Sequence, residues 1–276
     1  MLHFLTTLTS SNVAQATLSL AMIAAALDAA ETLVVNHDFG PRGVFHAQYR
    51  PSIPASWLVA GTQRLLESLR YPWGLLLPGA SFLLTLTLLV NSEHYVTMRL
   101  VLMLVCSTGL RLLQGRHGRE GAHTVLTITL CGLCWFYASS DASRFHHLAL
   151  DYIALQSLVA YTASGVAKLV NRHWWGPEAL VRTASMDLFQ QPRWERYLRT
   201  HPGAASAASW MVLLFECGAI PLALASTWSC LLFLCAGILF HAFIALTQGL
   251  NLFLWAFLAT YPAILLLNLE VHHALR

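Results

Sequence analysis

Hydrophobic residues are grouped along the chain into long runs, and shorter polar segments separate these runs. The runs cover residues 13–35, 73–90, 98–113, 122–138, 147–170, 207–225, 228–246 and 250–269. A helix of about 20 apolar residues is long enough to cross the hydrocarbon core of a bilayer. The pattern therefore predicts an all-α fold, namely a polytopic integral membrane helical bundle with about eight transmembrane helices.

The composition supports a membrane location. Hydrophobic residues make up 57% of the chain, charged residues make up 11%, and the mean hydropathy is +0.58. A soluble domain contains about 25% charged residues. The first run carries Asp28 and Glu31 and is not followed by a small-residue cleavage site, so we interpret it as a retained span rather than a signal peptide.

We expect residues 1–276 to form a single transmembrane domain, because no linker is long enough to separate a second folded domain. The connection at about residues 171–206 contains three prolines and mixes aromatic with charged residues. This composition predicts a segment that lies along the membrane surface.

The arginines indicate how the chain is oriented. Twelve of the fifteen fall on the side that follows the first, third and fifth runs: Arg42, Arg50, Arg64, Arg70, Arg111, Arg116, Arg119, Arg172, Arg182, Arg193, Arg196 and Arg199. Because short cytoplasmic loops carry an excess of positive residues, we predict that this side is cytoplasmic and that both termini are extracytoplasmic. The basic residues form no continuous run, so we expect no nucleic-acid partner.

Lys168 is the only lysine in the chain, and it lies near the end of the run at residues 147–170. A cation at this depth costs at least about 2–3 kcal/mol, so its presence suggests a chemical role. The other fifteen basic residues are arginines, which stay charged, whereas a lysine surrounded by hydrocarbon can lose its proton. Lys168 is therefore a candidate general base.

Other polar residues also occur at membrane depth. Tyr161 shares a helix face with Lys168, Glu216 interrupts an apolar run, and His123 and His241 lie within two further runs. These residues also have a second interpretation: Glu216 could pair with an arginine, Lys168 could be a fixed cation that pairs with Glu216 or another buried carboxylate, and a lone histidine in a bundle is often a hydrogen-bonded packing residue. The histidines and carboxylates lack the spacing typical of metal ligands, so we expect no metal site.

Around Lys168, several residues recur at a recognisable spacing. They are Gln156, Tyr161, Gly165, Val166, Lys168 and Leu169, followed by Trp174, Trp175 and Gly176. This pattern resembles the signature helix of the vitamin K-dependent gamma-carboxylase family, also called the horizontally transferred transmembrane (HTTM) domain. In that alignment Lys168 matches the catalytic base of the family, and Ala167 replaces a neighbouring lysine of the animal enzyme.

Matches outside this helix extend the resemblance. Residues 140–144 resemble a Met-Asp-Ala-Asn-Arg segment of the animal enzyme, Phe240 and His241 resemble a Phe-His pair, and His123 matches a functional histidine when a gap of about three residues is allowed. The resemblance implies that His123 and His241 join Lys168 as catalytic residues. The residues implied at a quinone pocket are Tyr161, Trp174, Phe253 and Phe257.

The family resemblance implies a specific chemistry. A lysine deprotonates a reduced quinone of the vitamin K hydroquinone type, dioxygen converts the anion into a strong base, and carbon dioxide adds where that base removes a proton. The size of the chain resembles that of short bacterial members, the sporulation-delaying protein B-like group. We therefore expect an enzyme in a bacterial plasma membrane, in contact with membrane lipid, that modifies a peptide or small-molecule substrate with the help of accessory maturation proteins.

An alternative from a different class remains open. The chain could be a non-catalytic membrane protein that binds a lipid, a quinone or a peptide as a component of maturation, export or immunity. The two hypotheses differ on Lys168, because an enzyme loses turnover but keeps its fold when the lysine is replaced by alanine.

The arginine distribution predicts the topology directly. A reporter fused at either terminus should report an extracytoplasmic position, and one inserted near Arg119 should report a cytoplasmic position. Paired alkaline phosphatase and fluorescent-protein fusions measure both. A cytoplasmic C-terminus would overturn the orientation.

Overall fold

A computed structural model describes residues 9–35, 73–90, 95–114, 121–139, 144–185 and 192–274. Within these ranges the chain forms α-helices and two short 3-10 turns, Trp73–Leu75 and Arg172–Trp175, and contains no strand. The helices are α1 (Ser10–Val34), α2 (Leu76–Val90), α3 (Val96–Gln114), α4 (Gly121–Ala138), α5 (Arg144–Val170), α6 (Glu178–Ala184), α7 (Pro192–Thr200), α8 (Pro202–Cys217), α9 (Ala219–Ala225), α10 (Thr227–Gln248), α11 (Asn251–Leu258) and α12 (Tyr261–Ala274). The predicted all-α fold is confirmed.

Six stretches of the described chain are long and apolar enough to cross a membrane. They are Ser10–Val34, Trp73–Val90, Gly121–Ala138, Phe145–Val170, Thr227–Gln248 and Asn251–Ala274. Helices α8 and α9 form a seventh candidate that is bent by 59°. The apolar part of α3, Val96–Gly109, is shorter. The protein is thus a polytopic membrane protein with six to seven candidate spans, and the third of the eight runs is the one that falls short.

Two helices contact most of the bundle. Helix α1 packs against α2, α4, α11 and α12, and α5 packs against α4, α8, α9 and α12. Their N-termini lie at the same end, because Ser10 Oγ and His147 Nδ1 are 2.8 Å apart. At the opposite end, Asn251 Nδ2 donates to Glu31 Oε1 over 3.0 Å. We call this second end, where α5 also finishes, the Lys168 end.

Two prolines coincide with breaks in apolar segments. Pro221 has no N–H to donate to the carbonyl of Cys217, and the chain bends at Gly218 between α8 and α9. Pro262 likewise leaves the carbonyl of Leu258 without its helical donor, where α11 gives way to α12. The run at residues 250–269, read from sequence as one helix, is therefore two helices in series.

Gly165 allows α5 and α8 to approach closely. A Cβ atom added at Gly165 would lie 2.6 Å from the backbone nitrogen of Cys217 and 2.9 Å from the carbonyl carbon of Glu216. Such distances are shorter than van der Waals contact, so only glycine permits this backbone-to-backbone packing. The contact fixes the position of Glu216 beside α5.

Several features used for the sequence predictions lie outside the described residues. They include residues 36–72, 115–120 and 186–191, which carry Arg42, Arg50, Arg64, Arg70, Arg116 and Arg119, and also residues 140–143 of the resemblance. The side chains of Arg111 and Arg144 are likewise outside the described part.

We predict that Gly165→Ala lowers the stability of the bundle by about 1–3 kcal/mol, because the added methyl group forces α5 and α8 apart. Gly203→Ala in the first turn of α8 is the matched control, since nothing lies within 4 Å of a Cβ added there. Unfolding in detergent, followed by circular dichroism, compares the two. Equal stability of both variants would contradict the close approach.

Candidate functional site

One face of α5 carries the polar residues of the site. Ser157, Tyr161, Ser164 and Lys168 are spaced by four, three and four residues, which places them on a single helical face. This face points toward the neighbouring helices, because Ser157 and Tyr161 are buried and both Ser164 and Lys168 are partly buried. Each residue meets a partner there.

Lys168 forms an ion pair with Glu216 of α8. Its Nζ atom donates to Glu216 Oε1 over 2.7 Å and to Oε2 over 2.6 Å, and it also donates to Ser164 Oγ over 2.6 Å. The Lys168 side chain is 21% exposed and that of Glu216 is 6% exposed. An ammonium group has three N–H bonds, so the three acceptors satisfy it fully. The pair brings no net charge into the bundle.

The ring of Trp174 lies over the ammonium group of this pair. Lys168 Nζ lies 5.3 Å from the ring centre of Trp174, within cation–π distance. Asn171 caps the 3-10 turn by accepting from the backbone N–H of His173, and the indole N–H of Trp175 donates to the carbonyl of Leu169 over 2.9 Å. The turn is therefore tied to the end of α5.

Tyr161 is the centre of a second polar group one to two turns deeper. Its hydroxyl lies 2.7 Å from His241 Nε2 and 2.9 Å from the hydroxyl of Tyr261. The ring of Phe257 stacks on His241 with centroids 4.4 Å apart, and Phe253 lies 6.2 Å beyond in nearly parallel orientation. The second ring nitrogen of His241, Nδ1, is buried and makes no hydrogen bond within the described structure.

The break between α11 and α12, just before Pro262, supplies two hydrogen-bond partners for the polar face of α5. Thr260 lies between α11 and α12, and its hydroxyl is 2.8 Å from that of Ser157. The next residue, Tyr261, reaches Tyr161. Likewise Glu216 lies two residues before the bend at Gly218. Both helix breaks therefore present polar groups to the same face of α5.

The site residues predicted from sequence fall into three groups. Lys168 and Trp174 are together, and Tyr161, His241, Phe253 and Phe257 form a second contiguous set.

His123 lies apart from both. Its Nε2 is 3.0 Å from Asp28 Oδ1, between α4 and α1. Its helix still borders the second set, since a Cβ added at Gly121 would lie 3.8 Å from the ring of Phe253. The contact with Asp28 agrees with the second interpretation of His123, namely that it is a hydrogen-bonded packing residue.

Sequence reasoning missed Ser164, Thr260 and Tyr261. A polar residue next to an intramembrane proline was the available signal for Thr260 and Tyr261, because Pro262 follows them directly. Ser164 was recognisable as a member of the polar face of α5. For Glu216 the sequence left two partners open, an arginine or Lys168, and its partner in the structure is Lys168.

The arrangement suits the reversible movement of a proton. Lys168 Nζ and Glu216 Oε2 are 2.6 Å apart, which is within the distance at which a base and an acid exchange a proton. Moving one proton to Glu216 leaves a neutral amine at Lys168. The amine can then accept a proton from another molecule.

Comparisons of the chain with family models, with curated proteins and with solved structures found no match.

We predict that Lys168→Ala destabilises the protein by about 3 kcal/mol, because it leaves the Glu216 carboxylate buried without a counter-ion. This loss is expected whether or not Lys168 is catalytic, so the stability of the alanine variant does not separate the two hypotheses, and Lys168→Arg is the variant that does. The double variant Lys168→Met with Glu216→Gln should recover most of this loss, since it buries no charge. Chemical unfolding in detergent measures both. The single variants Lys168→Met and Glu216→Gln complete the comparison, and if the double variant loses as much stability as these two together, the side chains are not coupled.

Proposed function

We propose that the protein is a membrane-embedded enzyme that takes a proton from a lipophilic hydroxyl compound of the hydroquinone class, with Lys168 as the general base. The observation that carries this proposal is the Lys168–Glu216 pair, a hydrogen-bonded acid and base held at the end of a membrane-spanning helix. Ionisable groups placed at membrane depth are typical of functional sites.

Two groups of aromatic residues support the choice of a quinone. The ring of Trp174 lies over Lys168. Deeper in the bundle, Phe253 is half-buried, Tyr161 is bonded to His241, and the buried Nδ1 atom of His241 makes no hydrogen bond within the described structure. When bound, a reduced quinone would supply an acidic hydroxyl group and electrons for dioxygen. The resemblance of the α5 sequence to the carboxylase family supports the same assignment.

The role of Lys168 follows from its partners. Glu216 accepts one ammonium proton, and Ser164 holds the resulting amine in position through its hydroxyl group. The neutral amine then accepts the substrate proton, while the surrounding helices limit the access of water to the site. Arginine cannot perform this exchange because it does not give up its proton.

The complete hydrogen bonding of the Lys168 ammonium group also supports a second candidate function, which is not catalytic. An ammonium group with all three N–H bonds satisfied is also what a fixed structural cation requires. In that case the protein would be a non-catalytic membrane protein that binds a lipid, a quinone or a peptide.

The decisive test replaces Lys168 by arginine. In liposomes that contain a reduced naphthoquinone, we expect Lys168→Arg to lose about 100-fold or more of the quinol-dependent oxygen uptake, as Lys168→Ala does. An oxygen electrode measures the rate, and mass spectrometry of the lipid extract shows whether quinone stays bound.

Ser19→Ala serves as the control, because this hydroxyl is exposed on α1 and bonds only to Gln15 of its own helix among the contacts described. Its rate should equal that of the unchanged protein. Substantial activity in Lys168→Arg would overturn the general-base role, and would identify Lys168 as the fixed cation of the alternative function.

A further inference from the structure

The segment between α5 and α8 has a strongly basic surface. In α7, Arg193, Arg196 and Arg199 follow one another at every third position, so they lie within about 120° of the helix circumference. All three are exposed. We call this surface the arginine face.

The opposite side of α7 is already occupied by protein. Leu198 is buried in a small apolar cluster with Ala184 of α6 and Ala205 of α8, and Trp194 packs against this cluster. The ring of Trp194 also packs edge-to-face against Phe243 of α10, with the ring centroids 5.1 Å apart. The apolar side of α7 thus holds the helix on the bundle, and the arginine face is directed away from it.

The charge of the surrounding segment is uneven. Arg172 and Arg182 are also exposed, which gives five arginines in residues 171–185 and 192–201. The sequence from residue 171 to residue 201 contains three carboxylates, Glu178, Asp187 and Glu195, so the formal difference is 5 − 3 = +2. Glu195 accepts a hydrogen bond from Arg199 over 2.8 Å, and the described residues of this segment form no other salt bridge with one another.

Exposed aromatic side chains show the depth at which this surface lies. Trp175, Trp210 and Tyr197 are 50%, 41% and 45% exposed at the Lys168 end of the spans. The indole of Trp210 donates to the carbonyl of Trp175, which ties the turn to α8. Tryptophan and tyrosine concentrate where lipid chains meet headgroups. The arginine face therefore lies at the level of the lipid headgroups rather than in bulk water.

We propose that the arginine face binds the phosphate groups of anionic phospholipids in the adjoining leaflet. The planar guanidinium group donates two parallel hydrogen bonds to a phosphate, and each positive side chain near an anionic surface strengthens binding. The inference rests on the surface of α7 and its flanking turns, and it does not depend on the reaction at Lys168.

Native mass spectrometry of the detergent-solubilised protein tests this proposal. The protein is titrated with phosphatidylglycerol and, separately, with phosphatidylcholine. We expect phosphatidylglycerol to bind about tenfold more tightly or better, and the triple variant Arg193→Gln, Arg196→Gln, Arg199→Gln to lose most of this preference.

Two further variants separate charge from folding. The triple variant with lysine at the same three positions keeps the charge, so it should retain part of the preference for phosphatidylglycerol. Arg99→Gln removes one positive charge at the start of α3, at the opposite end of the bundle, and should leave the preference unchanged. If both lipids bind equally, if the glutamine variant keeps its selectivity, or if an acidic peptide binds the face while anionic lipid does not, the proposal is wrong.

Discussion

The close approach of α5 and α8 at Gly165 determines the rest of the site. Because the two backbones touch there, Glu216 lies within reach of the side chain one turn farther along α5, which is Lys168. A lone ammonium or a lone carboxylate at this depth would be costly, whereas the hydrogen-bonded pair is tolerated. The glycine, the acid and the base therefore act as one structural unit, in which a change to any member affects the other two.

The need to pair polar groups inside the protein also explains the two interrupted helical segments, α8–α9 and α11–α12. Within a bilayer every polar group must find its partner inside the protein, and irregular backbone is tolerated only where protein buries it. The bend at Gly218 lies next to Glu216, and the interruption before Pro262 presents Thr260 and Tyr261 to α5. A straight helix would direct these groups elsewhere. The breaks associated with Pro221 and Pro262 thus place Glu216, Thr260 and Tyr261 beside the polar face of α5.

Most of the apolar helices were predictable from the sequence, because hydropathy and helical period depend on residues that are neighbours along the chain, although the third run is too short for a span. Lys168 and Glu216 are 48 residues apart in the chain, so the sequence predicted their pairing only as an alternative to the general-base role, and the packing of α5 against α8 was needed to establish it. The break in the run at residues 250–269 was recognisable from Pro262, but hydropathy averages over such a residue. The contacts of Tyr161 with His241 and Tyr261 needed the packing of α5 against α10 and α12.

The 3-10 turn Arg172–Trp175 joins the ion pair to the segment that leads to α6. It carries the exposed Arg172 at its start and places the ring of Trp174 over the Lys168 ammonium. Trp175 and Trp210 tie this turn to α5 and α8, because the indole of Trp175 donates to the carbonyl of Leu169 and the indole of Trp210 donates to the carbonyl of Trp175. These are the two helices that hold the ion pair, so the contact of Trp174 with the ammonium depends on the same packing that brings Lys168 and Glu216 together.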